Sequence, residues 1–346
     1  MSLKLSSAFR VPIWIGEIFT SAKSFEANPI IGSATLNRCG LHLGRVLLAQ
    51  LVTQWRWLFL MGLLSRSERR QFRKLGFLMI PDFLTASEFA QLRQEIVQFP
   101  GDLRRMVQGD TQTYQGLIDA ETSESMPITR QLLSDRYFLS LMMYCGNVLK
   151  YPMYFSHCVK NGTHAAETDP QKSFHSDTFH PTMKAWLFLD DVDETNGPFV
   201  YVPGSHRPSV RRLSWEYRNS IKGTELENRY ARRGSLRITA DELRNLGFEE
   251  PVTFDVPANT LIIADTMGFH RRGDAGANSS RLALYAYSRS NPFNPFPGLF
   301  PSWRARFEQR ATRRALLRSD ADAAKCGTRP SWQTVSNHAL RENEAA

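Results

Sequence analysis

His175 and Asp177 stand two residues apart, His270 follows after a gap of 92 residues (178 to 269), and Arg281 comes eleven positions later. Side chains two apart on a strand share a face, so His175 and Asp177 can act as a pair. A separate strand must bring His270 to them. Two imidazoles and one carboxylate on one side of a metal leave three coordination positions open. That arrangement suits non-haem Fe(II), which must hold a cosubstrate and dioxygen together. A His-x-Asp pair alone is also compatible with a solvated loop, so its surroundings decide its weight.

Those surroundings read as β structure. From Pro152 onward, short runs rich in Val, Ile, Tyr and Phe alternate with Asn-Gly, Pro-Gly and Gly-Asp signals. Strands are expected near 153–160, 183–190, 198–202, 252–256, 260–265 and 281–288, with a buried strand over Phe77 to Ile80. Many short strands with turn punctuation predict a double-sheet jelly roll, an α+β chain with a mainly β core and N-terminal helices packed on one sheet. In the last strand Arg281, Ala283, Tyr285 and Tyr287 share the face expected to point into the barrel mouth. Capping-box spacings at Ser65–Glu68, Thr85–Glu88 and Thr239–Glu242 predict three helix starts. Phe89, Leu92, Ile96 and Val97 mark one helix face, and a further helix is expected over 131–149. Residues 101–130 lack periodicity and read as loop.

In order along the chain, these marks resemble the phytanoyl-CoA dioxygenase family of Fe(II)/2-oxoglutarate-dependent oxygenases. The marks are His175-x-Asp177, the Ala185-Trp186 strand, Asn196-Gly197 with Pro203-Gly204-Ser205-His206, His270-Arg271-Arg272-Gly273, and Arg281. The opening Gly76-Phe-Leu-Met-Ile-Pro-Asp-Phe-Leu84 is similar to that family's first core strand and turn. The resemblance covers roughly residues 66 to 292 and implies a double-stranded β-helix holding Fe(II) on His175, Asp177 and His270. It implies 2-oxoglutarate as cosubstrate, dioxygen as oxidant and ascorbate as a stimulant. The far carboxylate of 2-oxoglutarate needs a buried cation, and Arg281 offers a bidentate fork. The resemblance also places Trp186 near the cosubstrate. Related halogenases carry Ala or Gly in place of the metal carboxylate, so Asp177 favours hydroxylation of an unactivated C–H. One position departs: the family's enzyme on phytanoyl-CoA has a hydroxyl residue two positions after the last His, where this chain has Arg272. The acyl-CoA substrate is therefore not carried over.

The rest of the chain shapes expectations about substrate and place. The 346 residues carry a net charge of +9, which favours acidic partners such as phosphates, carboxylates or anionic lipid. No nucleic-acid reading motif is recognisable, so specific nucleic-acid binding is not expected. Four scattered cysteines without Cys-x-x-Cys spacing fit a reducing, cytoplasmic setting.

Residues 1–65 form an N-terminal extension, 66–300 the dioxygenase domain and 301–346 a polar C-terminal tail, with a basic helix over Arg304 to Arg318 and a loose end from 319. Val46 to Leu64 is apolar, yet Gln50, Thr53 and Gln54 fall on one helical stripe with Arg56 beside it, and Arg66, Arg69, Arg70, Arg73 and Lys74 follow. A helix packed on the barrel, an interfacial anchor with peripheral membrane association and a membrane span all remain open.

The insertion 207–245 holds ten arginines and lysines. It reads either as a lid and anionic-substrate clamp or as a solvated excursion. Among other histidines, His157, His164, His180 and His206 each read as surface or hydrogen-bonding groups, with turn ordering as the role for His206 and a substrate-facing position as the alternative for His180. The expected function is hydroxylation of an anionic lipid, glycolipid or acyl thioester. A small soluble metabolite and a non-catalytic jelly-roll binding protein are the alternatives.

Overall fold

The structure, a computed structural model, describes residues 7–162, 168–299 and 301–336. It opens with helices α1 (Ser7–Ile18), α2 (Ala34–Arg38), α3 (Leu41–Leu60) and α4 (Arg66–Leu75). Helix α4 begins with the reciprocal Ser65–Glu68 capping box and ends at Gly76, whose φ is 89°. A Cβ on Gly76 would meet the Tyr201 hydroxyl at 2.3 Å, so glycine is required there both by the left-handed turn and by the close approach.

Strand β1 (Phe77–Ile80) leads to α5 (Ala86–Val97), β2 (Leu103–Gln108) and β3 (Thr111–Ile118). Helices α6 (Pro127–Leu132) and α7 (Arg136–Cys145) precede β4 (Met153–Asn161), β5 (Met183–Phe188) and β6 (Phe199–Tyr201). The insertion folds as α8 (Val210–Lys222), α9 (Arg229–Arg232) and α10 (Ala240–Asn245). Strands β7 (Val252–Thr253), β8 (Leu261–Asp265), β9 (His270–Arg272) and β10 (Ser280–Ser288) complete the barrel, followed by α11 (Pro301–Cys326) and β11 (Gln333–Val335).

The strands form two antiparallel sheets of a jelly roll. The large one runs β1-β8-β5-β10-β4-β3-β2-β11 and the small one β7-β6-β9. The outer face of the large sheet packs Leu187, Leu261, Ile263, Leu282 and Leu284 against Trp57, Leu92, Ile96, Phe138 and Leu141 of the helices. Between the sheets lie Phe77, Phe188, Phe199, Tyr201, Phe254 and Ile262. Alternation along β10 thus sends Leu282 and Leu284 to the helices and Arg281 and Tyr285 to the interior.

Several expectations are corrected. Residues 101–130 are not loop but hold the β2–β3 hairpin, joined through Gly109 at φ 57°. The expected helix over 131–149 is two helices, because Asp135 caps a new one at the Phe138 amide. The C-terminal stretch does not hang loose from 319: α11 continues to Cys326, and β11 pairs with β2 at the sheet edge. Residues 337–346 lie outside the described residues, as does His164.

The insertion builds its own core of Trp215, Ala231, Leu236, Ile238 and Leu243 with Phe25 and Ile31 from the N-terminal segment. Its Arg212 is fully buried, 2.8 Å from Glu216, and Glu216 also meets His42 of α3 at 2.9 Å. Arg212 of the basic insertion is therefore neither clamp nor solvated, but joins α8 to α3 through Glu216.

Helix α3 packs on the barrel with its polar side inward. Arg56 donates to the carbonyls of Asn147, Asn291 and Asn294 and to Ser290. Gln50 donates to the His206 carbonyl. Among the described residues, no helix is long and apolar enough to cross a membrane.

Candidate active site

The small sheet creates the meeting point. His175 and His270 exchange both backbone hydrogen bonds at 3.0 Å, which makes them directly opposed residues of an antiparallel pair with side chains on one face. Their rings lie 4.4 Å apart. Asp177, two residues on, is fixed by its amide donating to the Thr266 carbonyl at 2.9 Å. One ligand atom from each of His175, Asp177 and His270 lies within 4.8 Å of the others, and each Nε2 is 3.8 Å from Asp177 Oδ1.

The ring tautomers are set by backbone. His175 Nδ1 meets the Ser173 carbonyl at 2.8 Å and His270 Nδ1 the Gly268 carbonyl at 2.9 Å, so each Nδ1 carries the proton and each Nε2 presents a lone pair. Both Nε2 atoms and Asp177 Oδ2 are buried without a hydrogen-bond partner. Burial drives His175 well below its ordinary value and His270 down to about 4. At Asp177 burial works to raise the carboxyl, but Lys184 and the two imidazoles outweigh it and hold the group well below the carboxylate range. Neutral imidazoles and an ionised carboxylate converging with orphaned lone pairs are what a divalent cation requires, so the trio fits a metal.

Two lysines attend the carboxylate. Lys184 Nζ of β5 stands 2.7 Å from Asp177 Oδ2 and forms an ion pair with it. Lys23 Nζ donates to the Asp177 backbone carbonyl, and burial pushes it down to about 8. The insertion backs the same strand, with Ser176 donating to the Leu236 carbonyl and Ile238 to the Phe174 carbonyl.

Beside the trio is a cavity of about 170 Å³ lined by His157, Trp186, Phe199, Arg272, Arg281 and Gln115 among others. Arg281 is buried and its Nη1 has no hydrogen-bond partner. Burial and the neighbouring Arg272 push it down to about 9. Because a guanidinium keeps its proton, this marks a cation short of an anion. Arg272 lacks that need, since it pairs with the fully buried Asp169 at 2.6 Å. Trp186 closes one wall, its ring 4.7 Å from Phe199 and 5.8 Å from Tyr285.

A second cavity of about 870 Å³ adjoins the first, sharing Met106, Gln115, Lys184, Tyr285 and Trp332 with it. Phe155, Tyr285 and Tyr287 line one part, and Thr312, Arg313, Leu316 and Leu317 of α11 another. The C-terminal helix thus lines the larger cavity, and no residue of the insertion does. Helix α11 is held by Lys150–Glu308 and Arg104–Asp320 at 2.6 Å and Arg313–Asp119 at 2.8 Å.

Other histidines separate by environment. His157 lies in the small cavity, with Gln115 donating to its Nδ1 at 3.0 Å. His180 is a hydrogen-bonding histidine, buried against Phe179 with Nδ1 3.0 Å from the Pro181 carbonyl, and not substrate-facing. His206 packs under the Gly76 turn. The sequence reading missed Lys23, Lys184, Asp169, Gln115 and His157 as site neighbours. The alternation of β5, which puts Lys184 on the Trp186 face, is the one local signal that could have found any of them.

Residues 72–280 match the family model Phytanoyl-CoA dioxygenase (PhyH).

The chain belongs to the phytanoyl-CoA dioxygenase family. It is an Fe(II)/2-oxoglutarate-dependent oxygenase, with iron, 2-oxoglutarate and dioxygen as its reagents. No curated protein matches the sequence. Similar solved structures include the nogalamycin epimerase SnoN (19% identity, 64% of this chain and 81% of that one, TM-score 0.42). HygX from Streptomyces hygroscopicus, with nickel and 2-oxoglutarate bound, is 18% identical over 66% of this chain and 88% of its own (TM-score 0.41). EctD from S. alaskensis with bound Fe is 16% identical over 65% and 76% (TM-score 0.41).

Proposed function

We propose that the protein hydroxylates an unactivated C–H of an anionic, partly apolar organic molecule, such as a lipid, glycolipid or acyl thioester, held in the larger cavity. His175, Asp177 and His270 are the metal ligands, Arg281 clamps the far carboxylate of 2-oxoglutarate, and Trp186 walls the cosubstrate. Bound iron with the keto acid and dioxygen supplies an oxidant strong enough for such a bond, with succinate and carbon dioxide as co-products. The chain's own groups bind and orient. The Ser173 and Gly268 carbonyls keep the imidazole lone pairs aimed at one point. Arg281, the cation lacking an anion, selects a dicarboxylate of matching length. The Trp186–Phe199 wall excludes water. Lys184 pairs with Asp177 and also lines both cavities, so a metal ion taking its place on that carboxylate would leave the ammonium to meet a substrate anion.

The substrate reading rests on the shared lining: Lys184 and Tyr285 border both cavities, and His175 and His270 line the smaller one. The wall combines Phe155, Tyr285, Tyr287, Leu316 and Leu317 with Lys184 and Arg289, which suits an apolar body carrying a negative group. Anaerobic absorption spectroscopy tests the cofactor assignment. Adding Fe(II) and then 2-oxoglutarate to metal-free protein is expected to give a weak visible charge-transfer band that His175→Ala abolishes. Folded protein with no band and no retained iron would instead leave a non-catalytic jelly-roll binding protein. Succinate release stimulated by anionic amphiphiles but not by their neutral analogues then tests the substrate class.

A further inference from the structure

Unlike an ordinary surface helix, α3 exposes large apolar side chains while its inward face mixes Val46, Ala49, Trp57 and Leu60 with buried polar groups. Facing the protein are Arg45, Gln50, Thr53 and Arg56, all buried. Facing out, at positions that recur on one helical face, are Leu47 (40% exposed), Leu51 (67%), Trp55 (50%), Leu58 (55%) and Phe59 (59%). The helix is not free to turn this face inward. Arg45 donates to the carbonyls of Ile18, Thr20 and Ala22, Arg56 to those of Asn147, Asn291 and Asn294, and Asn147 to the Thr53 carbonyl. Rotation would strand buried charges and carbonyls, a cost far larger than the gain from covering a few side chains.

We propose that the outward face of α3 docks onto an anionic lipid bilayer, lying in the interface rather than crossing it. Charge selects this occupant. Helix α4, directly after α3, exposes Arg66, Arg70, Arg73 and Lys74. Arg73 reaches back to Gln54 of α3 at 2.5 Å and lies over the Trp57 ring, so the cationic helix is fastened along the border of the apolar face. An apolar strip bordered by arginines, with the exposed Trp55–Phe59 pair at 5.3 Å, has the composition that an acyl–headgroup boundary with negative lipids accepts. A second copy of this chain would meet the same arginines as like charge. Val11, Ile13 and Ile15 of the first helix, and Phe19 just after it, are exposed as well. The inference stands apart from the cofactor and substrate assignments, because none of these residues lines either cavity.

Flotation of the full-length protein with vesicles decides it. Vesicles are made of phosphatidylcholine alone or with about 30 mol% phosphatidylglycerol, a negative surface. Wild type is expected to rise with the anionic vesicles and stay down with the neutral ones. Leu51→Ser/Phe59→Ser and Arg66→Gln/Arg70→Gln/Lys74→Gln change only exposed side chains, so both should fold, as circular dichroism would show. Each is expected to lower the partition coefficient by roughly tenfold or more. Wild type that fails to float, or either variant floating as wild type does, overturns the proposal. A wild-type dimer in light scattering that Leu51→Ser/Phe59→Ser makes monomeric, with flotation absent in both, assigns the face to a second copy instead.

Discussion

Two guanidiniums lie close together in the small cavity and only one of them is neutralised. Arg272 is bound to Asp169, whose side chain is fully buried, while Arg281 keeps an unpartnered nitrogen. Their alanine variants should therefore fail in opposite ways. Arg272→Ala strands a buried carboxylate and is expected to cost about 3–5 kcal/mol in a urea titration. Arg281→Ala removes an unpaired buried charge, so its urea midpoint should hold or rise. Its affinity for 2-oxoglutarate in the charge-transfer titration should nonetheless fall roughly a hundredfold, the worth of a charge-assisted pair. Asp265 offers a pH test. Burial, against hydrogen bonds from the Met267 and Thr182 amides, pushes its carboxyl up to about 7, above the unfolded value of about 3.9. Between those values the folded state holds a proton that the unfolded chain has released. This group's contribution to stability is thus present below about pH 4 and lost as pH rises to about 7. Asp265→Asn, which keeps an acceptor oxygen, should remove that part of the decline when thermal midpoints are compared from about pH 4 to 8.

At the scale of elements, the C-terminal helix lines the larger cavity and the insertion packs on the N-terminal segment. Helix α11 touches the barrel through ion pairs whose barrel members, Lys150 and Arg104, are only 7% and 10% exposed. The insertion shares a core with the N-terminal segment. Truncation after residue 300 should leave the iron–2-oxoglutarate band in place, because none of its ligands lies in α11. It should uncouple turnover, with succinate exceeding hydroxylated product as water enters the opened cavity. Equal succinate and product in the truncated protein would show that α11 does not seal the site. The hairpin of β2 and β3 carries Arg104, Met106, Gln115 and Leu117 on the cavity side, which is why its sequence lacks an apolar stripe.

The whole molecule brings together parts far apart in the chain around one carboxylate. Lys23 from the N-terminal segment, Lys184 from β5, Thr266 after β8 and His270 from β9 all hold or adjoin Asp177. A divalent cation bound there joins these layers, so it should stabilise the fold as a unit. Saturating Mn(II), a redox-quiet substitute, is expected to raise the thermal midpoint by roughly 5 °C at about a hundredfold excess over its dissociation constant. A chelator should reverse the shift, and Asp177→Ala should show none. An equal rise in Asp177→Ala would place the metal elsewhere.

Much of this was legible in the chain itself. The strands over 153–160, 183–190 and 281–288 follow from alternation and turn residues, and all three capping boxes form as spaced. The convergence of His175, Asp177 and His270 needs only that a strand pair oppose the two histidines, as it does. Periodicity reports that a segment has two faces, not what each face meets. The polar faces of β2 and β3 look like loop because they meet a cavity rather than a core. The polar stripe of α3 looks solvent-facing because its partners, the carbonyls of Asn147, Asn291 and Asn294, lie some ninety to two hundred and forty positions away. Ion pairs such as Lys184–Asp177 and Arg272–Asp169 likewise have no local signature. Sequence determined most of the elements and the His175–Asp177 pair, because these rest on short spacings. Tertiary structure alone decided which polar faces turn inward and which helix lines the larger cavity, because those depend on contacts between residues distant in the chain.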